Sequence, residues 1–415
     1  MKAIILAAGE GVRLRPITET RPKSMIPVLC RPVLEWHVEA LMRAGFEEIV
    51  VVVSYMKDFI VNYFESKPHF RGKLKFVDQG KALGTGDAVV KASEALGPEE
   101  DVVITYADLY FEDWSIYGRM AELEGYYVVG SHVNDPRDYG VLYIKNSNLV
   151  KIVEKPEQPE TTLVNVGVYK LNTRDIIENS NIPLSPRGEY ELTDIVTRIA
   201  SQKPVKVYLY QGNWVDIGKP WHVIEANKLA LKSIKHEVRG YIIEPVTIRE
   251  PVFIGENSTV YPYTTILGPV YIDGNVEVGP SALIRPWSVI CSGSKIGFSV
   301  EVKESVIFEN VHASHLTYIG DSVVCEHVNL GAGTVLANLR FDRRNVKMRV
   351  KDKLEDTGRI KLGSIIGGYA QTGVNVSIMP GVKIGSCSWV LPGSVVYRDV
   401  PSNAKYPQSR SMLGE

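Results

Sequence analysis

The segment Leu6-Ala7-Ala8-Gly9-Glu10-Gly11-Val12-Arg13-Leu14-Arg15-Pro16, followed by Arg21-Pro22-Lys23, combines two close glycines with spaced cations. Gly9 and Gly11 let the backbone bend around a bulky anion with its N–H groups turned inward. Arg13 and Lys23 add the fixed positive charge that a triphosphate needs. The pattern is neither a Walker A loop nor the full dinucleotide GxGxxG fingerprint. It points to phosphate chemistry of another kind.

A second pattern is a period. Apolar residues recur at every sixth position in Ile248, Ile254, Val260, Ile266, Ile272, Val278, Ile284, Ile290, Ile296 and Val302, ending on Phe308. That beat predicts a hexapeptide solenoid, in which every sixth side chain points into a shared core. It slips between Phe308 and Ile319, resumes at Val324, Leu330 and Leu336, and returns at Ile360, Ile366, Thr372, Ile378, Ile384, Val390 and Val396. The charged segment from Arg340 to Arg359 predicts a loop or hairpin projecting from the solenoid.

The elements that must position the first motif alternate between strand and helix patterns. Ala3–Leu6, Ile49–Val53, Leu74–Val77 and Val102–Thr105 read as buried strands, and Val33–Arg43 and Gly86–Leu96 as helices. Such units predict an α/β Rossmann-like domain with a mainly parallel sheet and helices on both faces. Ligands then gather at the carboxyl ends of the strands. A helix from about Pro220 to His236 leads into the solenoid. The expected division is 1–220, a linker helix 221–245, a β-helix 246–400, and a tail 401–415 that covers the last coil or contacts a neighbour.

The 415 residues exceed one average domain, and a net charge of -1 gives no argument for nucleic acid or an anionic membrane. The apolar run at the N-terminus is too short for a full signal-peptide pattern, and no run approaches a membrane span. Cys30, Cys291, Cys325 and Cys387 form no CxxC pair, which fits a reducing compartment and a cytoplasmic location.

The first motif resembles the signature of sugar-1-phosphate nucleotidylyltransferases, and the likeness extends over about 220 residues. It implies nucleotide contacts from Leu6, Ala8, Gly9, Gln79, Gly84 and Thr85, with Arg13 and Lys23 catalytic. Tyr106-Ala107-Asp108 and Trp214-Val215-Asp216-Ile217-Gly218 resemble the segments that supply the two magnesium ligands, Asp108 and Asp216. Tyr139-Gly140-Val141, Val153-Glu154-Lys155-Pro156 and Asn165-Val166-Gly167 resemble the sugar-phosphate pocket, implying roles for Gly140, Glu154, Lys155 and Asn165. Ala107 and Val12 depart from the residues common in the family. Asp216 resembles the aspartate of thymidylyltransferases rather than the asparagine of bifunctional bacterial uridylyltransferases, leaving UTP and dTTP both open.

Within the solenoid, Ala313-Ser314-His315-Leu316-Thr317-Tyr318-Ile319-Gly320-Asp321, Asn329-Leu330-Gly331-Ala332-Gly333-Thr334 and Asn338 resemble the acetyltransferase site of the bifunctional N-acetylglucosamine-1-phosphate uridylyltransferase/glucosamine-1-phosphate acetyltransferase family. The resemblance implies His315 as general base, Arg285 and Lys303 as phosphate ligands, and Tyr318, Asn338 and Lys347 as amino-sugar contacts. Acetyl-CoA would lie near Gly331 and Ala332, where a backbone N–H could stabilise an oxyanion. Val390-Leu391-Pro392-Gly393 departs from the small residues common along the coenzyme groove. The family also implies a left-handed β-helix and a homotrimer.

Two other readings stand beside the bifunctional one. One is a nucleotidylyltransferase alone, with the solenoid as an oligomerisation scaffold. The other is a non-enzymatic regulatory subunit of the kind found in translation-initiation exchange factors, against which the intact Arg13, Lys23, Asp108 and Asp216 argue.

Overall fold

A computed structural model describes residues 1–407. The chain divides into two compact units. The first comprises Met1–Glu10, Pro22–Met25 and Val33–Trp214, and the second comprises Gly11–Arg21, Ile26–Pro32 and Val215 onward.

The first unit is built on nine strands: β1 (Lys2–Leu6), β2 (Glu48–Val53), β3 (Leu74–Asp78), β4 (Asp101–Tyr106), β5 (Tyr126–His132), β6 (Gly140–Lys145), β7 (Asn148–Glu154), β8 (Leu163–Asn172) and β9 (Val205–Leu209). Their spatial order is β3-β2-β1-β4-β8-β5-β9-β7-β6. The first four are parallel, as expected, with Ile4 opposite Val50 on one side and Ile104 on the other. Beyond β4 the sheet is mixed, because β8 runs antiparallel to both β4 and β5 and the pair β6–β7 is an antiparallel hairpin. The expectation of a mainly parallel sheet therefore holds for half of it. The other half has broken alternation and turn residues inside its runs, which hid it.

Strand alternation divides the core between the two faces. Ala3, Ile5 and Ala7 of the β1 region face a cluster with Leu34, Val38 and Leu41 of α1 (Val33–Arg43) and Ile60 and Phe64 of α2 (Lys57–Glu65). Ile4, Leu6 and Ala8 face Ala88, Val89 and Ala92 of α3 (Thr85–Leu96). Both faces are covered.

The second unit is a parallel β-helix of three sheets with eight, nine and eight strands, the arrangement of a left-handed hexapeptide solenoid. Register shows the coil directly: Val260 pairs with Val278 and Val278 with Ile296, while Ile266 pairs with Ile284 and Ile284 with Val302. Corner residues such as Asn257, Tyr263, Asn275 and Ser281 take positive φ, the left-handed conformation each tight corner requires.

The beat itself needs correction at its break. Ile307, not Phe308, pairs with Ile290 and lies in the interior cluster; Ala313 and Ile319 then keep six-residue spacing. The shortened steps are Val302 to Ile307 and Ile319 to Val324, so His315 sits on a regular coil between them. After the insertion the beat returns at Ile366 rather than Ile360, which is 53% exposed.

The charged insertion is a hairpin, Lys347–Val350 paired with Lys353–Asp356, and its Met348 and Val350 are buried beneath the charged edge. The helix before the solenoid, α4 (His222–Leu231), is shorter than expected. Of the expected tail, Lys405–Tyr406 adds a last strand beside Trp389–Val390. Residues 408–415 lie outside the described residues.

Two early segments belong with the solenoid. Glu19 Oε2 accepts from Ser386 N at 3.0 Å and Ser402 Oγ at 2.6 Å, and Lys383 Nζ donates to Arg15 O at 3.4 Å. Asn227 of α4 accepts from Leu29 N at 2.8 Å and donates to Pro27 O at 3.1 Å. Cys30 and Cys291 form a disulfide with Cα atoms 5.2 Å apart. The absence of a CxxC pair gave no sign of this bond, because no spacing rule reveals partners 261 residues apart. Among the described residues no helix is long and apolar enough to cross a membrane.

Candidate active sites

In the first unit, phosphate and base candidates sit at the carboxyl ends of β1, β3 and β4. Leu6 O accepts from Ala107 N at 3.1 Å, which places Asp108 beside the glycine turn. The Lys23 ammonium is ion-paired with Asp108 Oδ2, so two expected site residues meet. Behind them His37 is fully buried, with Nε2 2.7 Å from Leu109 O and Nδ1 2.5 Å from Tyr117 Oη. A carbonyl only accepts, so Nε2 carries the proton. Burial pushes the imidazole pKa down to about 4.

Gln79 is buried and donates through Nε2 to Gly84 O and Asp87 Oδ2, both at 2.9 Å. Gly84 has φ +117, and a Cβ there would lie 2.4 Å from Tyr190 O. Thr85 Oγ1 accepts from Leu192 N at 3.0 Å. The base-recognition candidates are thus clamped against the 184–191 loop.

The sugar-pocket candidates also converge. A Cβ on Gly140 would lie 2.9 Å from Glu154 Oε1, and Lys155 N donates to Tyr139 O at 2.9 Å. Asn165 Nδ2 donates to Tyr169 Oη at 2.6 Å, and its Oδ1 accepts from Gly167 N at 3.0 Å. Burial raises the Glu154 carboxyl, against the opposing pull of Arg187, whose Nη2 is 3.8 Å away. Arg187 was missed in the sequence. Its signal was the Pro186-Arg187-Gly188 turn, a cation in a short loop.

Arg13 and Asp216 belong to the second unit. Arg13 follows Gly11, whose φ of 69° and carbonyl bonds from Leu14 N and Thr18 Oγ1, both 2.8 Å, shape the turn. A Cβ on Gly218 would lie 3.3 Å from both Asp216 carboxylate oxygens, so glycine keeps that face of the carboxylate clear. Asp108 and Asp216 are each a hard oxygen donor of the kind Mg²⁺ takes.

On the solenoid, four of the expected residues share one sheet. The strands Leu283–Ile284, Glu301–Lys303 and Tyr318–Gly320 are adjacent, with Lys303 opposite Gly320 and Arg285 N donating to Val302 O at 2.8 Å. Lys303 Nζ lies 3.0 and 2.8 Å from the oxygens of Asp321, which is almost wholly buried. Asn338 Nδ2 donates to Tyr318 Oη at 3.1 Å and also reaches Asp321 Oδ2. Arg285 Nη1 donates to Glu301 Oε1 at 2.9 Å. Gly320 is required here, since its Cβ would lie 2.5 Å from Tyr318 Oη.

His315 ends the strand His312–His315 on the neighbouring sheet and is exposed at the corner, where Leu316 takes φ 50°. Gly331 N donates to Thr372 O at 3.0 Å, so this expected oxyanion donor is already engaged. Ala332 N makes no hydrogen bond among the described residues, which leaves it as the better placed of the two. Lys347 stands on the hairpin with its carbonyl against Gly381, and no contact among the described residues joins it to Tyr318 or Asn338.

Comparison with known proteins follows this division. The family model for "Nucleotidyl transferase" matches residues 2–233, and that for "GMPPB C-terminal domain" matches 266–354. A bifunctional sugar-1-phosphate nucleotidylyltransferase/acetyltransferase of Sulfurisphaera tokodaii is 44% identical over 96% of this chain and 98% of its own length. A bifunctional protein GlmU of Methanocaldococcus jannaschii is 39% identical over 97% and 96%. A crystal structure of UDP-glucose pyrophosphorylase complexed with UDP-glucose, 26% identical, superposes with a TM-score of 0.52 over 56% of this chain and 99% of that one.

Proposed function

The chain belongs to the nucleotidyl transferase family, and from that premise we propose how its two sets of candidate residues divide the work of a bifunctional sugar-1-phosphate nucleotidylyltransferase/acetyltransferase. Residues 1–220 carry nucleotidyl transfer, 246–400 carry acetyl transfer, and 221–245 join them. The substrates are acetyl-CoA, glucosamine-1-phosphate or galactosamine-1-phosphate, and UTP or dTTP. The working form is a cytoplasmic homotrimer.

In the acetyl step the sugar amine attacks the thioester carbonyl carbon. His315 takes the ammonium proton and returns it to the departing coenzyme A thiolate. Arg285 and Lys303 hold the sugar phosphate, Tyr318 and Asn338 orient the ring, and the Ala332 N–H faces the developing oxyanion. The bridge from Asn338 to Tyr318 and Asp321 supports this most directly, because an oligomerisation scaffold has no need of a buried aspartate holding an outward lysine.

In the nucleotidyl step a sugar-phosphate oxygen attacks the α-phosphorus, the bond to the bridging oxygen breaks, and pyrophosphate leaves. The attacking group is already ionised, so alignment and charge neutralisation by Arg13 and Lys23 replace a strong base. Magnesium, held by Asp108 and Asp216, supplies further positive charge when bound. Leu6, Ala8, Gly9, Gln79, Gly84 and Thr85 receive the nucleotide, and Gly140, Glu154, Lys155 and Asn165 the sugar.

The test uses two variants of the purified chain. His315→Ala should abolish coenzyme A release from acetyl-CoA and glucosamine-1-phosphate while sparing pyrophosphate release. Asp108→Asn should do the reverse. If the wild type releases no coenzyme A, the two-activity reading is lost.

A further inference from the structure

The charged insertion ends at Arg359, and this arginine is not at the surface. Its side chain is 15% exposed. Nη2 donates to Glu304 Oε1 at 2.7 Å and lies 3.9 Å from Asp321 Oδ1, while Nη1 is 3.9 Å from Glu225 Oε1 on α4. Glu304 Oε1 also takes Lys228 Nζ at 2.9 Å, and Glu304 Oε2 lies 3.8 Å from Lys303 Nζ.

The result is a chain of alternating charge. Lys228, Lys303 and Arg359 face Glu225, Glu304 and Asp321, and Lys303 is the member on the outward sheet beside Arg285. Burial pushes the Glu304 carboxyl up, but Lys228 and Arg359 outweigh that and hold it below its ordinary value, so it remains ionised. The insertion is fastened at both ends of this network. Leu362 N donates to Asn338 O at 3.0 Å and Gly363 N to Asp321 O at 2.9 Å. On the hairpin, toward its open end, Glu355 pairs with Lys219 at 2.9 Å.

We propose that Arg359 is a positioning residue for the amino-sugar phosphate: by balancing Glu304 and Asp321 it leaves the Lys303 ammonium free to be shared with the phosphate dianion. Without it, two cations face three carboxylates just where a second anion must bind. Lys303 is then drawn fully onto Asp321 and Glu304, and the dianion meets net negative charge. The geometry does not make Arg359 a phosphate ligand itself, because its fork is turned toward carboxylates on three sides. This inference rests on the reading that Lys303 and Arg285 receive the sugar phosphate.

The experiment measures coenzyme A release with glucosamine-1-phosphate as the varied substrate, on the full chain. Arg359→Met should raise KM for glucosamine-1-phosphate about tenfold with kcat and the KM for acetyl-CoA nearly unchanged. Adding Glu304→Gln to that variant removes the surplus carboxylate and should return KM to within about threefold of wild type. Lys303→Met is the control for the underlying reading. If Lys303→Met leaves KM unchanged, that reading fails and the inference falls with it. If Lys303→Met raises KM but Arg359→Met does not, the inference alone is overturned. If Arg359→Met raises KM and Glu304→Gln gives no rescue, Arg359 touches substrate or serves stability only, and the positioning role is again overturned.

Discussion

Arg21 Nη2 lies 2.7 Å from Glu326 Oε2 and 2.6 Å from Glu309 Oε1, with its guanidinium 4.7 Å above the Phe308 ring. This explains why Phe308 is buried without pointing into the solenoid: it floors the arginine socket. Arg21 closes the segment that carries Arg13, so the solenoid holds a residue assigned to the other reaction. Arg21→Met leaves Glu326, 7% exposed, without its partner. The expected cost is about 3–5 kcal/mol in denaturant unfolding. Pyrophosphate release should fall further than coenzyme A release; equal losses would show that the socket serves stability alone.

His37 gives a pH dependence with a definite sign. Its folded pKa of about 4 lies below the ordinary 6.5, so the unfolded chain binds the extra proton between these values. The stability this group contributes is therefore present above pH 6.5 and is lost as pH falls toward 4. The span amounts to something on the order of 3 kcal/mol. Urea midpoints at pH 7.5 and pH 5 should differ more for wild type than for His37→Gln.

The Cys30–Cys291 bond closes a long loop and constrains the unfolded chain. Cys291→Ser should cost about 2–4 kcal/mol. Wild type kept under dithiothreitol should melt with the variant, and a wild type indifferent to reductant would mean the bond does not form.

Gly84→Ala combines a strained φ with a clash against the Tyr190 carbonyl. The clamp on the 184–191 loop should open, raising KM for the nucleoside triphosphate by about tenfold or more, with coenzyme A release intact. An unchanged KM would mean that the clamp does not set the base pocket.

What could be read in the sequence was local or periodic. β1, α1 and the solenoid coils follow from short windows because each repeats one physical demand, burial on a face or at a corner. The Lys23–Asp108 pair was not legible as a contact, although both residues were singled out, because 85 residues separate them. The mixed half of the sheet escaped because β8 is buried along nearly its whole length and shows no alternation of burial. Arg359 stood at the end of a charged run and Arg21 beside Lys23 in the first motif; only packing shows that each is enclosed by carboxylates. The five-residue steps at Ile307 and Val324 were invisible because Phe308 offered an equally apolar residue one place along.

The socket for Arg21 also has a history in time. Glu326 lies 305 residues downstream, so at about 5–20 residues per second the ribosome delivers it roughly 15–60 s after Arg21. Through that interval the Gly11–Arg21 segment lacks the solenoid residues that hold Arg15, Glu19 and Arg21. The glycine turn at the start of the chain is thus among the last parts of the molecule to be finished.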